Sequence, residues 1–187
     1  MEAIKQYFET FIKLSDEEWN DFQQCLSKEK IPNKTFILEE GQICDYMAFI
    51  HSGMFRFYHL KNGEEKITAF SFAGDFTGNY RSFLSGLPSL HYVESMQESV
   101  IYKIHKSNLK ELYDKHRNLE RIGRLIAENL YMNVANRLDS FHFDTPKQRY
   151  EDLRNRNPKY LELIPQYMLA SYLGIKPETL SRIRAKK

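Results

Sequence analysis

The C-terminal segment Ile164–Lys187 reads IPQYMLASYLGIKPETLSRIRAKK and contains two apolar patterns of helical spacing with a glycine between them. Proline is tolerated in the first turn of a helix, and Pro165 and Pro177 each stand at the start of one of these patterns. Gly174 follows the first pattern, at a point where a left-handed turn costs glycine little. Ala170 is small enough for a second helix to cross closely. The segment therefore predicts a helix-turn-helix with a turn of about three residues.

The second of these helices has a polar outward face. Leu180 and Ile183 are predicted to point inward, which leaves side chains that can bond base edges and phosphates on the other side. An alternative is a helical hairpin with a solvated basic end. We favour a DNA reader because the turn glycine, the small crossing residue and the polar face fall in one register. The predicted DNA-binding residues are Glu178, Thr179, Ser181, Arg182 and Lys186.

Charge is unevenly distributed along the chain. The net charge is only +2, but the part from Thr145 onward carries ten Lys and Arg against four Asp and Glu, which leaves a net charge of −4 on the rest. A basic C-terminal part suits a nucleic-acid partner. The two cysteines, Cys25 and Cys44, cannot form a four-thiolate cluster and are expected to be buried thiols. Without a signal pattern or a membrane-length apolar run, we expect a cytoplasmic protein.

The first two thirds of the chain change from helical to strand periodicity. Two amphipathic helices, Ala3–Ile12 and Ser15–Leu26, are predicted first, the second with a capping box from Ser15 to Glu18. Runs rich in β-branched and aromatic residues follow, punctuated by glycines and by an Asn62-Gly63 hairpin signal. This spacing favours an antiparallel β-roll of jelly-roll type over alternating βα units. The predicted strands are Thr35–Leu38, Tyr46–His51, Met54–Leu60, Glu65–Phe72 and Tyr92–Ile104.

Helices are predicted again after the strands. A short one spans Ser107–Lys115, and a long one, Asn118–Phe141, carries an apolar stripe at helical spacing. Such a stripe can pack on its own sheet. We favour dimerisation because a helix of about 36 Å, at 1.5 Å per residue, is longer than a small roll. Phe141–Asp144 is the expected hinge. The predicted dimer seam is Leu119, Ile122, Ile126, Leu130 and Val134.

The fold class predicted from these patterns is α+β, with three parts. Residues 1–117 form a β-roll (a double-stranded β-helix), and residues 118–144 form the dimerisation helix and hinge. Residues 145–187 form a helical DNA-binding domain of three helices, starting with Pro146–Arg156, which Thr145 caps. This domain is expected to be a separately hinged module that packs against the dimer helix.

The C-terminal order Leu-Ala, Leu-Gly-Ile and Glu-Thr-Leu-Ser-Arg-Ile closely resembles the helix-turn-helix of the Crp/Fnr transcription regulators. The segment Gly74-Asp75-Phe76-Thr77-Gly78 resembles the start of that family's phosphate-binding cassette, which holds a cyclic nucleotide. The resemblance covers essentially the whole chain. It implies a sensing roll, a homodimer built on the long helix, and two readers on two DNA half-sites. The implied partners are double-stranded DNA, a second copy of the chain, RNA polymerase and an unknown small-molecule effector.

The chain departs from the family pattern within the cassette. Asn79 stands where a cyclic-nucleotide sensor has a glutamate for the ribose, and Ser89-Leu90 stands where it has the arginine and hydroxyl residue for the phosphate. A buried phosphate needs a cation or many donors, so we predict that neither cAMP nor cGMP is the effector. The resemblance also implies a β-hairpin wing, which we expect to be reduced or absent. Residues of the effector pocket, if one exists, are Gly78, Asn79, Arg81, Ser82, Ser89 and Leu90.

Two other functions remain open from the sequence. One is a cyclic-nucleotide-type sensor or protein-interaction module that does not read DNA. The other is a cupin-like metalloenzyme, suggested by His51, His59 and His91. A facial metal site needs two ligands alternating on one strand face with a carboxylate in reach, and the sequence has no such pair. We therefore expect scattered surface histidines, no metal, no cofactor and no enzymatic activity.

Overall fold

The computed structural model describes residues 1–185. Two helices, α1 (Glu2–Glu9) and α2 (Asp16–Gln24), precede a set of strands, and further helices follow it. The strands are β1 (Ser27–Ile31), β2 (Phe36–Leu38), β3 (Tyr46–Ser52), β4 (Met54–Lys61), β5 (Glu64–Phe72), β6 (Phe76–Thr77), β7 (Tyr92–Ser95) and β8 (Ser99–His105). Helix α3 (Tyr80–Ser85) lies between β6 and β7. The later helices are α4 (Lys106–Lys115), α5 (Arg117–Phe143), α6 (Pro146–Arg156), α7 (Lys159–Leu163), α8 (Gln166–Leu173) and α9 (Pro177–Ala185).

The strands form two four-stranded antiparallel sheets. Sheet 1 has the order β1-β8-β3-β6 and sheet 2 has the order β2-β7-β4-β5. Side chains that alternate inward from both sheets, among them Ile50, Phe55, Val93 and Ile101, are buried between them. This arrangement excludes water from one face of each sheet. The predicted α+β class with an N-terminal β-roll is confirmed.

Turn chemistry accounts for the connections of the roll. Asn62 and Gly63 have φ values of 55° and 79°, and they join β4 to β5 where Lys61 pairs with Glu64. Positive φ at both central residues is typical of the hairpin turn that an Asn-Gly pair favours. Ser15 and Glu18 form the predicted capping box at the start of α2, and Thr145 and Gln148 form another at α6. Local sequence signals therefore define these boundaries correctly.

The predicted single strand Tyr92–Ile104 is wrong. It forms β7 and β8, which belong to different sheets, because the chain turns between Ser95 and Ser99. At this crossing the backbone of Gly53 approaches so closely that a Cβ there would lie 1.9 Å from Ser99 Oγ. Four further elements, β1, β6, α3 and α7, were not predicted. Strand β1 is a mostly polar edge strand, which lacks the alternation that reveals half-buried strands.

Helices cover the outer faces of both sheets. Helices α1, α2, α4 and the start of α5 pack on sheet 1 around buried side chains such as Phe49 and Ile104. The C-terminal helices pack on sheet 2, where Ile67, Phe70 and Phe72 of β5 share one cluster with residues of α8. The C-terminal module was expected to be separately hinged and to pack against the long helix, and in the structure it also packs on the roll. The hinge is also shorter than predicted, because α5 continues to Phe143.

Candidate nucleic-acid interface

Helices α8 and α9 form the predicted helix-turn-helix. Leu169 and Ala170 of α8 and Leu180 of α9 have no exposed surface, which places the small Ala170 side chain in the buried cluster of these helices. Gly174 ends α8 in the left-handed region with φ of 69°. The N–H of Ile175 donates to the carbonyl of Ala170 at 3.0 Å, which satisfies one of the free carbonyls at the helix end. The turn from Gly174 to Lys176 leads directly into α9.

The outward face of α9 presents polar and basic side chains. Glu178, Ser181 and Arg182 are exposed, Thr179 is half-buried, and Lys186 lies outside the described residues. Glu178 and Arg182 are four residues apart, so they lie on the same side of the helix. Arg184 is also exposed and was missed as a candidate contact. This face combines hydrogen-bond donors and acceptors with positive charge, as base edges and phosphates require.

Two arginines outside the helix-turn-helix donate hydrogen bonds to the end of α8, just before the turn. Arg137 of α5 donates to the carbonyl of Tyr172 at 2.8 Å, and Arg149 of α6 donates to the carbonyl of Leu173 at 3.1 Å. On the side of the roll, the N–H of Ile67 on the edge strand β5 donates to Ser171 Oγ at 3.0 Å. None of these three side chains was predicted as functional. Their roles depend on how distant elements approach one another, which no local pattern reveals.

The predicted effector residues lie together, but their polar groups bond to one another. Asn79 Oδ1 accepts from the N–H of Ser82 and caps α3, while Asn79 Nδ2 donates to Ser89 Oγ at 2.9 Å. Ser82 Oγ accepts from the N–H of Cys44 and donates to the carbonyl of Leu87. Gly78 has φ of 125°, a conformation that side chains rarely adopt. The three polar side chains are thus satisfied by protein groups without a ligand.

Arg81 and Leu90, the other two predicted effector residues, are exposed. Beside them, His59 and His91 are in contact, with ring centroids 5.7 Å apart. The expectation of scattered surface histidines is therefore corrected for this pair, although His51 is exposed. Burial, with His59 and Arg81 nearby, lowers the pKa of His91. Within residues 1–185, no group of three or more His, Cys, Asp or Glu side chains is placed to hold a metal ion.

The predicted dimer seam divides into two parts along α5. Leu119 and Ile122 are only 3% and 1% exposed and belong to the core beneath sheet 1, so they are unavailable to a second chain. Ile126 is half-buried against the same core. Leu130 and Val134 are 40% and 59% exposed, and Leu138, one turn further, is 57% exposed. The seam prediction is corrected accordingly: an open apolar face begins near Leu130.

The expectation that both cysteines are buried is confirmed only for Cys44. Cys44 is buried and Cys25 half-buried, and both are free thiols. Burial raises the pKa of the Cys44 thiol. Across residues 1–185 we find no helix with the length and apolar character needed to span a membrane.

These elements define a class of protein with three parts. A β-roll that contains the short helix α3 comes first, a long helix with an open apolar face follows, and a helix-turn-helix lies at the C-terminal end. Residues 28–116 match the family of cyclic nucleotide-binding domains. The anaerobic regulatory protein of Pasteurella multocida is 24% identical over 184 residues, which cover 91% of this chain and 66% of that protein. The fumarate and nitrate reduction regulatory protein of Yersinia pestis is 24% identical over 185 residues, covering 91% of this chain and 72% of that protein.

A solved structure has the same fold over most of its length. FixK2 from Bradyrhizobium japonicum superposes with a TM-score of 0.72 at 18% sequence identity, covering 86% of this chain and 83% of that one. The predicted resemblance to the Crp/Fnr regulators is confirmed: residues 28–116 match the cyclic nucleotide-binding domain, and the Pasteurella and Yersinia relatives are regulatory proteins by name. The chain spans about two thirds of the length of the Pasteurella relative, 66%.

Proposed function

We propose that this chain is a homodimeric transcription regulator that binds specific double-stranded DNA through α9. The proposal rests on the difference between the two faces of this helix. Leu180 on one face is completely buried, whereas Glu178, Ser181 and Arg182 on the other face are exposed. An outward polar face on a short helix that follows a tight turn fits the major groove, where each base pair presents a distinct pattern of donors and acceptors. Arg182 is suited to O6 and N7 of guanine, and Glu178 to N4 of cytosine.

The open face of α5 supports the dimer. Leu130, Val134 and Leu138 recur every four residues and are 40%, 59% and 57% exposed, which is unusual for a row of large apolar side chains on one helix. A second copy of the same helix buries such a row by self-complementary packing. A two-fold dimer then presents two α9 helices to two half-sites about one helical turn of DNA apart.

A selection from random DNA duplexes tests the proposal. The full chain is mixed with the duplexes, the bound fraction is recovered by gel shift, and the cycle is repeated at a fixed salt concentration because affinity for DNA depends on salt. We expect enrichment of a two-fold symmetric sequence. Failure to enrich any sequence, with an intact folded dimer, contradicts the proposal and favours a sensor or interaction module that does not read DNA.

We also infer that the effector region is not a cyclic-nucleotide site. Asn79, Ser82 and Ser89 satisfy one another and the backbone, and Arg81 is exposed at the surface. A nucleotide phosphate would have to displace these bonds without a buried cation in return, which costs several kcal/mol. Titration calorimetry with cAMP and cGMP up to about 1 mM is expected to give no saturable binding. Saturation in the low micromolar range would show that Arg81 or another cation binds the phosphate.

The Crp/Fnr resemblance further implies contact with RNA polymerase and a small-molecule effector. Both remain predictions, and a pull-down of the polymerase by the DNA-bound chain tests the first.

A further inference from the structure

Side chains of α5 and α6 form hydrogen bonds with the last turn of α8. Arg137, on α5, donates a hydrogen bond to the Tyr172 carbonyl at 2.8 Å, and its guanidinium carbon lies 3.8 Å from the centroid of the Tyr172 ring. Arg149, on α6, donates from Nε to the Leu173 carbonyl at 3.1 Å and from Nη1 to the Asp144 carbonyl at 2.7 Å. Two cations from two different helices therefore bind consecutive carbonyls at the end of α8.

Phe141 lies between these two cations. The guanidinium carbons of Arg137 and Arg149 are each 5.1 Å from the centroid of its ring. The same ring abuts Gly174, where a Cβ would lie 2.8 Å from Phe141 Cε1. Glycine is thus needed at this position for two reasons, the positive φ of the turn and the close approach of an aromatic ring from α5. We refer to Arg137, Phe141 and Arg149 together as the arginine clamp.

The chemistry of the clamp suits its position. The last carbonyls of a helix have no partner within the helix and carry the negative end of its dipole, so a guanidinium there is favourable. A planar guanidinium can donate to a carbonyl and stack face to face on an aromatic ring at the same time, whereas an ammonium group has no planar face to stack. Burial lowers the pKa of Arg137, and the nearby Arg149 acts in the same direction, while Tyr172 opposes them. The guanidinium remains charged at neutral pH in spite of this.

We propose that Arg137 and Arg149, with Phe141 between them, are positioning residues that fix the orientation of α9 relative to α5. This inference rests on the proposed function, because it assigns the geometry of the same DNA-binding helix. Only Gly174, Ile175 and Lys176 separate the clamped end of α8 from the start of α9. If α5 is the dimer helix, the clamp determines the angle and separation of the two readers. DNA half-sites have a fixed spacing, so a loosened clamp weakens binding without any loss of a DNA contact.

A distance measurement in the free protein tests the clamp without DNA. Spin labels are placed at exposed positions of α5 and α9 by Asn129→Cys and Ala185→Cys in a Cys25→Ser background, with Cys44 retained because it is buried. Labelled chains are diluted with unlabelled protein so that each dimer carries one labelled chain. Electron–electron double resonance then gives the distribution of distances between the labels.

The clamp variants are Arg137→Gln and Arg149→Gln, and the matched control is Arg124→Gln. Arg124 is also on α5, but it is exposed and pairs with Glu128, one turn further along the same helix. We expect a broadened or shifted distance distribution in both clamp variants, with circular dichroism and oligomeric state unchanged, and no change in the control. Arg137→Lys is expected to be intermediate, since lysine can reach the carbonyl but cannot stack in the same way. Distributions identical to the wild type would overturn the inference.

DNA binding provides the second measurement. On the duplex selected by the wild type, each Gln variant is expected to lose about tenfold in affinity, or ~1.4 kcal/mol. On a series of duplexes with altered half-site spacing, the variants are expected to show a flatter preference than the wild type. If the wild type binds no duplex, the proposed function is wrong, but the label distances still show whether the clamp fixes the orientation of α9 relative to α5. If the variants bind with unchanged affinity and spacing preference, the clamp does not position the reader.

Discussion

The two halves of α5 carry the same kind of apolar stripe but have opposite surroundings. In the first half, Leu119 and Ile122 are 3% and 1% exposed because α1, α2 and α4 of the same chain pack around them. In the second half, Val134 and Leu138 are 59% and 57% exposed. Helical spacing therefore indicates that a face is apolar, but not what covers it. The first half belongs to the core of the monomer, and the second is available to another chain.

The largest expected difference between the halves concerns stability. Ile122→Lys buries an unpaired charge in the core beneath sheet 1, and we expect it to reduce the free energy of unfolding by roughly 4 kcal/mol or more. Val134→Lys places its charge at an exposed position, so the chain is expected to remain cooperatively folded. Urea unfolding of both variants followed by circular dichroism measures the difference. Equal stability of the two variants would mean that the halves do not differ as described.

The second prediction concerns association. Val134→Lys is expected to raise the dimer dissociation constant about 100-fold, or ~2.7 kcal/mol, because it buries a charge at the proposed interface. Sedimentation velocity over a range of concentrations measures this. The control is Asn136→Lys, which adds the same charge at an exposed site two residues further on, on the opposite side of the helix. Equal dissociation constants for the two variants would place the interface elsewhere.

The smallest expected effect locates the boundary between the halves. Ile126 is half-buried and packs against the core of its own chain. Ile126→Ala is therefore expected to lower the free energy of unfolding by roughly 1 kcal/mol and to leave the dimer largely intact. If this substitution dissociates the dimer as strongly as Val134→Lys, the interface extends further toward the roll than the structure indicates.

Much of the fold could be predicted because local signals were strong. The capping residues Ser15 and Thr145, the Asn62-Gly63 turn and the alternating strands all specify their own conformations. The failures have a different cause. The split of Tyr92–Ile104 into β7 and β8 depends on a change of sheet, and the polar edge strand β1 is held by its pairing with β8. Both are set by contacts between residues distant in sequence, which periodicity does not record.

The candidate site also has one part that local sequence signals could predict and one part that depends on contacts between distant residues. The outward face of α9 could be predicted because a helix of known register has only one side left when Leu180 is buried. The arginine clamp could not, because Arg137 lies 35 residues from Tyr172, whose carbonyl it binds. Phe141 was interpreted as the end of the apolar stripe and the start of the hinge, and not as a partner of arginines. The contact between His59 and His91 was missed for the same reason, since the two residues come from different strand regions.

The central claim is that α9 reads bases, and Arg182 tests it most directly. The affinities of the wild type and of Arg182→Ala are measured by gel shift at one salt concentration on the selected duplex and on every single-base variant of it. Arg156→Ala, which removes an exposed arginine of α6 paired with Asp152, is the control. The account predicts that Arg182→Ala loses about 1–3 kcal/mol on the selected duplex and loses its preference at one base pair of each half-site. A uniform loss on all duplexes, or no loss on any, would contradict it.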